Sequence, residues 1–150
     1  MIAVNILISA CLLGLDCRYC GTGCYHEKVM ALKNRFQLIP VCPEQMGGLP
    51  TPRAPVELVD GRALTRTGLD LTAHFQKGAD EVLRLAQMFN CQYAVLKSRS
   101  PSCGLGLIYD GTFSGKLIKG NGITVEKLQD MGIVVMNEES SVKELYGKDN

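Results

Sequence analysis

The chain has 150 residues, of which 46% are hydrophobic and 21% charged. That is an ordinary globular composition for one domain over 1–150, and it argues against disorder. Sixteen Lys and Arg stand against 15 Asp and Glu, with 6% aromatics and no Trp, so the sequence offers neither the basic field nor the stacking platform of a nucleic-acid binder. The unusual feature is seven cysteines.

In chain order, Val4–Ala10 reads as a buried strand. Residues 11–24 form a loop rich in Cys and Gly. His26–Phe36 reads as a helix and Gln37–Val41 as a second short strand. Pro43, Pro50, Pro52 and Pro55 make most of 42–68 loop, with a hairpin of Val56–Asp60 and Arg62–Thr65 turning at Asp60-Gly61. Thr72–Asn90 is the clearest helix, because Phe75, Ala79, Val82, Leu83, Ala86 and Phe89 share one stripe. Within it, His74 has no evident task. Cys91, just beyond, reads as buried and inert. Tyr93–Leu96 is a third strand. Residues 97–122 are polar and glycine-rich, with a small hairpin near Ile108 and Leu117. The KGNG run at 119–122 lacks phosphate-loop spacing and reads as a tight turn. Thr124–Met131 is a short helix with Thr124 as N-cap and Gly132 as its C′ residue. Ile133–Met136 is a fourth strand, Ser140–Tyr146 a last helical turn or two, and Lys148–Asn150 a fraying end. Strands alternating with helices predict a single compact α/β domain, Rossmann- or flavodoxin-like. It has about four mainly parallel strands and helices on both faces.

Residues 2–15 are apolar but shorter than the roughly 20 residues of a membrane span. Met1-Ile2-Ala3-Val4 lacks the charged start of a signal peptide. A cytoplasmic protein with reduced thiols and no membrane partner is therefore expected. Reduced cysteines then point to metal, catalysis or core packing rather than disulfides.

Cys11 follows the first strand, Cys42 the second, and Cys103 lies beyond the third. Ligands of open parallel sheets bind outside the carboxyl ends of the strands, so these three cysteines converge on one edge. Three thiolates suit a soft metal centre with one open position; zinc, copper(I) and an iron–sulfur cluster all fit. Glu44 would point with Cys42 if the strand end stays extended. Ser100 and Ser102 bracket Pro101 just before Cys103, and Arg53, Lys97 and Arg99 add cationic donors.

CLLGLDCRY near the N-terminus, VCPEQMGGLPTPRAPVE at 41–57 and LKSRSPSCG at 96–104 resemble a bacterial family long known only as a domain of unknown function. YDGTFSGKLIKGNGIT and MGIVVMNEE are similar to its C-terminal half, so the likeness spans nearly the whole chain. Its members with an assigned activity are thiouracil desulfidases. The resemblance implies a [4Fe–4S] cluster held by Cys11, Cys42 and Cys103 with one iron open. That iron takes the sulfur of a small thiolated substrate, and the C–S bond is hydrolysed without net redox change. The resemblance also implies a catalytic carboxylate at Glu44 and a catalytic hydroxyl at Ser100. Arg53, Lys97 and Ser102 are the candidates to hold the oxygen of the base.

The sequence departs from the family at Cys20, where an Asp is common, and at Cys24, an extra thiol. Cys17, Cys20, Cys24 and His26 have a spacing that suits zinc, a cluster or a redox pair. The alternative reading is therefore a non-enzymatic zinc-binding or sulfur-carrier module built on the Cys17/Cys20/Cys24 loop.

Overall fold

The computed structural model describes residues 3–148. The elements run β1 (Asn5–Ser9), a 3-10 turn (Ala10–Leu13), α1 (Glu27–Met30), a second 3-10 turn (Ala31–Asn34), β2 (Gln37–Val41), α2 (Pro43–Met46), β3 (Val56–Val59) and β4 (Arg62–Thr65). They continue with α3 (Thr72–Met88), β5 (Tyr93–Leu96), β6 (Leu107–Tyr109), β7 (Leu117–Lys119), α4 (Ile123–Asp130), β8 (Val134–Asn137) and α5 (Ser141–Lys148). No helix among the described residues is long and apolar enough to cross a membrane.

Four strands build the central sheet in the order β2-β1-β5-β8, with every pair parallel. Successive side chains of a strand point to opposite faces. Ile6 and Ile8 therefore pack with Val29, Leu32 and Leu145 on one side. Leu7 packs with Val82, Ala86, Val125 and Leu128 of α3 and α4 on the other. Both faces are covered, which is why β1 and β5 read as continuous apolar runs rather than alternating ones. From β1 the sheet grows to β2 on one side and to β5 on the other, so the strand order reverses there. The crevice at the carboxyl ends of β1 and β5 is the topological switch point.

Two antiparallel hairpins, β3–β4 and β6–β7, stand outside the sheet. The first turns at Asp60 and Gly61, both with positive φ (49° and 79°), the conformation that suits a two-residue hairpin. Val56, Leu58 and Ala63 of this hairpin share a smaller core with Phe75 and Ala79 of α3 and with Ile108 and Ile123.

Several sequence expectations shift. The helix expected over His26–Phe36 is one α-turn followed by a 3-10 turn, with His26 as N-cap: its Nδ1 accepts from the Val29 N–H at 3.3 Å. The long helix ends at Met88, and the fourth strand runs one residue later than expected. The last helix begins at Ser141, while Asp149 and Asn150 of the expected fraying end lie outside the described residues. Thr124 is not a cap. It lies inside α4, fully buried, and Gly122 holds the cap position with no side-chain bond. A Cβ at Gly122 would press on the Ser102 carbonyl, so the loop before Cys103 excludes a capping side chain there. Gly132 does follow the helix with φ 81°.

The turn after β2 is not loop. Pro43 opens α2 at its first position, where its fixed φ fits and no N–H is missed. This helix crosses α3 at Gly47 and Gly78. A Cβ at Gly47 would overlap the His74 carbonyl, and one at Gly78 the Pro43 carbonyl. His74 also has a task, since its Nδ1 lies 2.8 Å from the Gly47 carbonyl. Gly78→Ala gains about 1 kcal/mol in helix propensity. It is nevertheless expected to destabilise the protein by about 1–3 kcal/mol, because backbone must move. Chemical denaturation checks this; a more stable variant would refute the close crossing.

Candidate active site

Cys11 lies in the 3-10 turn after β1, Cys42 caps α2 after β2, and Cys103 ends the loop after β5. All three line one cavity of about 460 Å³ at the switch point, together with Glu44, Arg53, Lys97, Ser100 and Ser102. All eight predicted site residues therefore meet in one place. The cavity is also walled by Tyr19, Arg66, Tyr109 and Phe113, the last three carried by the β4 end and the β6–β7 hairpin. The Arg66 guanidinium lies 5.0 Å from the centre of the Phe113 ring. Glu57 accepts the Gly111 and Phe113 N–H groups at 3.0 Å each, which fixes that hairpin over the cavity.

Glu44 does not point with Cys42 through an extended strand end; the first turn of α2 positions it. Its Oε1 accepts from Arg53 Nε at 2.9 Å and its Oε2 from Ser102 Oγ at 2.9 Å. Arg53 is nearly buried and donates further to the Pro50 carbonyl, the Thr51 hydroxyl and the Cys17 carbonyl. Four of its donors are thus given to protein acceptors. Lys97 pairs with Glu138 at 3.0 Å. Arg99 lines the cavity with its side chain exposed and its backbone left-handed at φ 70°.

Ser100 Oγ accepts the N–H groups of Ser102 (3.1 Å) and Cys103 (2.9 Å) and lies 3.0 Å from Ser102 Oγ. The loop itself docks on the start of α4: the Gly122, Ile123 and Thr124 amides donate to the Gly104, Pro101 and Ser102 carbonyls. Glu138, at the end of β8, takes the Ser98 N–H at 2.9 Å and the Ser98 hydroxyl at 3.0 Å.

The surroundings of Cys17, Cys42 and Cys103 favour the neutral thiol. Burial pushes Cys103 up to about 12, against weaker opposing bonds from Ser9 and Ser102. Cys42 is raised well above the thiol range by its bond with the Cys17 thiol and by burial. Cys17 is raised chiefly by its bond with Cys11. Two residues of this layer escape sequence reasoning. Ser9, buried at the end of β1, accepts the Lys97 N–H at 2.8 Å and also reaches Cys103. Cys17 is a fourth thiol inside the cavity, against Cys11 and Cys42. Ser9 sits two residues before Cys11 on an alternating strand end, which is a readable signal; Cys17 had none.

Cys17, Cys20 and Cys24 do not form a centre of their own. Cys17 turns into the cavity. Cys20 is exposed with its Sγ 3.0 Å from Thr22 Oγ1, and Cys24 packs half-buried against the core beside α1. Among the described residues no three His, Cys, Asp or Glu side chains stand close enough to hold a single metal ion. Thiolates around one zinc ion stand within about 4 Å of one another. Cys11, Cys42 and Cys103 instead line the wall of a cavity of about 460 Å³. A thiolate-only donor set around such a space fits the larger, softer body of an iron–sulfur cluster.

Fold and site together define an α/β protein with a thiol-lined pocket at the switch point of its sheet. A family model described as 2-thiouracil desulfurase matches residues 6–140, and the chain belongs to this family of enzymes. The uncharacterized protein YbbK of Bacillus subtilis (strain 168) is 40% identical over 143 residues, covering 89% of this chain and 95% of YbbK. The solved structure of the [4Fe–4S]-dependent thiouracil desulfidase TudS matches with a TM-score of 0.87 at 41% identity, covering 91% of this chain and 92% of that one.

Two outcomes follow. The Thr22 hydroxyl lowers the exposed Cys20 thiol below its ordinary value, whereas Cys42 and Cys103 are raised. Iodoacetamide should therefore modify Cys20 at least about tenfold faster than either in metal-free protein, as read by peptide mass spectrometry. Burial works to raise Glu138, but its own amide, the Ser98 amide and Lys97 together hold it below its ordinary value of 4.5. A depressed carboxyl stabilises fully above that ordinary value and loses its contribution as pH falls through the folded one. Glu138→Gln should cost about 1.5–3 kcal/mol at neutral pH, with the difference from wild type shrinking in acid. A pH-independent difference in denaturation would contradict this.

Proposed function

We propose that the protein hydrolyses the C–S bond of a thiolated uracil, such as 2- or 4-thiouracil, on a [4Fe–4S] cluster held by Cys11, Cys42 and Cys103. The supporting observation is one cavity in which three thiols from three strand ends face a hydrogen-bonded Glu44–Ser102–Ser100 row. When bound, the cluster supplies an iron without a protein ligand, a Lewis acid soft enough to hold a thione sulfur.

The chain's own residues supply the rest. Tyr19, Tyr109 and Phe113 wall the cavity with rings against which a flat heterocycle can lie. Glu44 is oriented by Arg53 and takes the proton of the attacking water. Ser100, whose oxygen accepts two backbone amides, turns its hydrogen from Ser102 to the reacting base. Arg53 acts here through Glu44, and Ser102 through Glu44 and Ser100, because their polar atoms are given to those partners. Lys97, at the cavity wall, would reach the oxygen of the base only by exchanging one of the bonds its ammonium makes to Glu138 and Ser98. The overall reaction adds one water to the thiocarbonyl and releases sulfide, leaving a carbonyl, with no net electron transfer.

Protein prepared without oxygen should carry about four iron and four acid-labile sulfide per chain and release sulfide from thiouracil. Cys11→Ala, Cys42→Ala and Cys103→Ala should each lose the cluster. Glu44→Gln should keep it and lose turnover by about a hundredfold or more. Full cluster content in all three cysteine variants, or zinc without sulfide in the wild type, would overturn the reading.

A further inference from the structure

The turn that joins β6 to β7 carries Phe113 with a left-handed backbone, φ 56°, which a bulky side chain rarely adopts. Such a residue persists only where its surroundings over-determine it. Here they do. Glu57 Oε1 accepts the Gly111 and Phe113 N–H groups at 3.0 Å each. Asp110 Oδ1 accepts the Thr112 N–H at 2.9 Å and the Thr112 hydroxyl at 2.6 Å, and the Asp110 N–H donates to the Lys116 carbonyl at 3.0 Å. Gly111 lies flat on β3: a Cβ there would stand 2.6 Å from the Val59 side chain and 3.1 Å from the Leu58 carbonyl. What these contacts hold in place is the Phe113 ring. It is half-buried and lines the cavity, yet it joins none of the three cores among the described residues. The Arg66 guanidinium lies over one face, 5.0 Å from the ring centre. Among the described residues no second ring or cation stacks on Phe113. Backbone strain that serves no core points to the cavity as its use.

We infer that Glu57 is a positioning residue that holds Phe113 at the cavity wall, and that the Phe113 ring selects flat, unsaturated six-membered rings over puckered ones. The inference rests on the proposed thiouracil reading for the ring it receives; the attachment of Phe113 by Glu57 stands without it. The selection follows from ring shape. A phenyl ring with a guanidinium on one face offers its other face to a planar ligand, and stacking gains most where both rings are flat and aromatic. A pyrimidine saturated at its carbon–carbon double bond keeps the same N–H and C=O groups, but it is puckered and has lost the π density at those carbons. It can make every polar contact the cavity offers and still lose the stack. Glu57 acts through Phe113. One of the two amides it accepts is that of Phe113 itself, and the other belongs to the residue two before it. Without the carboxylate, Phe113 is released to relax to a negative φ, and its ring leaves the wall.

The test titrates protein prepared without oxygen with uracil and with dihydrouracil in a calorimeter. Wild type should bind uracil at least about tenfold more tightly. Phe113→Leu, which keeps apolar bulk without a ring, should bring the two within about threefold by weakening uracil, with iron and sulfide content unchanged. Glu57→Ala should do the same, whereas Glu57→Gln, whose amide oxygen still accepts the two N–H groups, should keep most of the preference. A preference that survives Phe113→Leu intact, or a wild type without one, would overturn the selection. The attachment is read separately, by hydrogen exchange with mass spectrometry. Glu57→Ala should speed exchange over residues 110–116 by about tenfold and leave β1 unchanged. Exchange over 110–116 equal to that of wild type would overturn the positioning role. Sulfide release from thiouracil is measured on the same preparations. A wild type that prefers uracil but releases no sulfide defeats the proposed function and leaves this inference standing; one that releases sulfide yet binds both rings equally does the reverse.

Discussion

The first amides of α4 have no side-chain cap, and the site depends on how they are satisfied. A helix start leaves donors without intrahelical partners, and burying them unpaired is costly. Here the Gly122, Ile123 and Thr124 amides are taken by carbonyls of the loop that carries Ser100, Ser102 and Cys103. The helix is capped by the site, and the site is held by the helix. From the other end, Glu138 grips Ser98 and Lys97, so the same loop is pinned at both its entry and its exit. A loop fixed at two points by buried polar bonds can hold three side chains in register, which a solvent-exposed loop of this length would not do.

That rigidity explains how two chemically opposed groups coexist. Cys42 and Cys103 are favoured in their neutral form, Cys103 by burial and Cys42 by the Cys17 thiol and burial. A few residues away, Glu44 is surrounded by donors, namely Arg53 and Ser102. On the proposed reading, metal loading would have to expel the thiol protons. The two halves come from different layers. The sulfur donors sit at the ends of β1, β2 and β5, and the planar walls come from hairpins outside the sheet. The hairpin walls can therefore differ without disturbing the thiol-bearing edge of the sheet.

Much of this was legible in the sequence because both faces of the sheet are buried. Strands such as NILIS and YAVL must then be unbroken apolar runs, and the cysteines that follow them fall at strand ends by topology alone. The Asp60-Gly61 hairpin was readable from turn chemistry. What escaped was decided by tertiary contact. Four prolines in 42–68 hid α2, although Pro43 at a first helical position was a signal in its own right. Thr124 has the chemistry of a cap, but the Ser102 carbonyl occupies the space a capping side chain would need, and the cap fell to Gly122. Nothing in SPSCG reveals that the Ser102 hydroxyl turns inward to a carboxylate 58 residues away.

The same geometry settles how much weight the departure at Cys20 carries. The family resemblance of the sequence places an acidic residue there, and its loss would matter if it handled protons during the reaction. Cys20 does not line the cavity. Its exposed thiol belongs to the turn closed by the Gly21 amide on the Arg18 carbonyl at 2.8 Å, and its partner is the Thr22 hydroxyl. That hydroxyl lowers the thiol below its ordinary value. Cys20 therefore belongs to a surface turn outside the cavity. The thiol of this loop that does line the cavity is Cys17, turned inward against Cys11 and Cys42. Its backbone carbonyl receives Arg53, so even this inward turn feeds back on the orientation of Glu44.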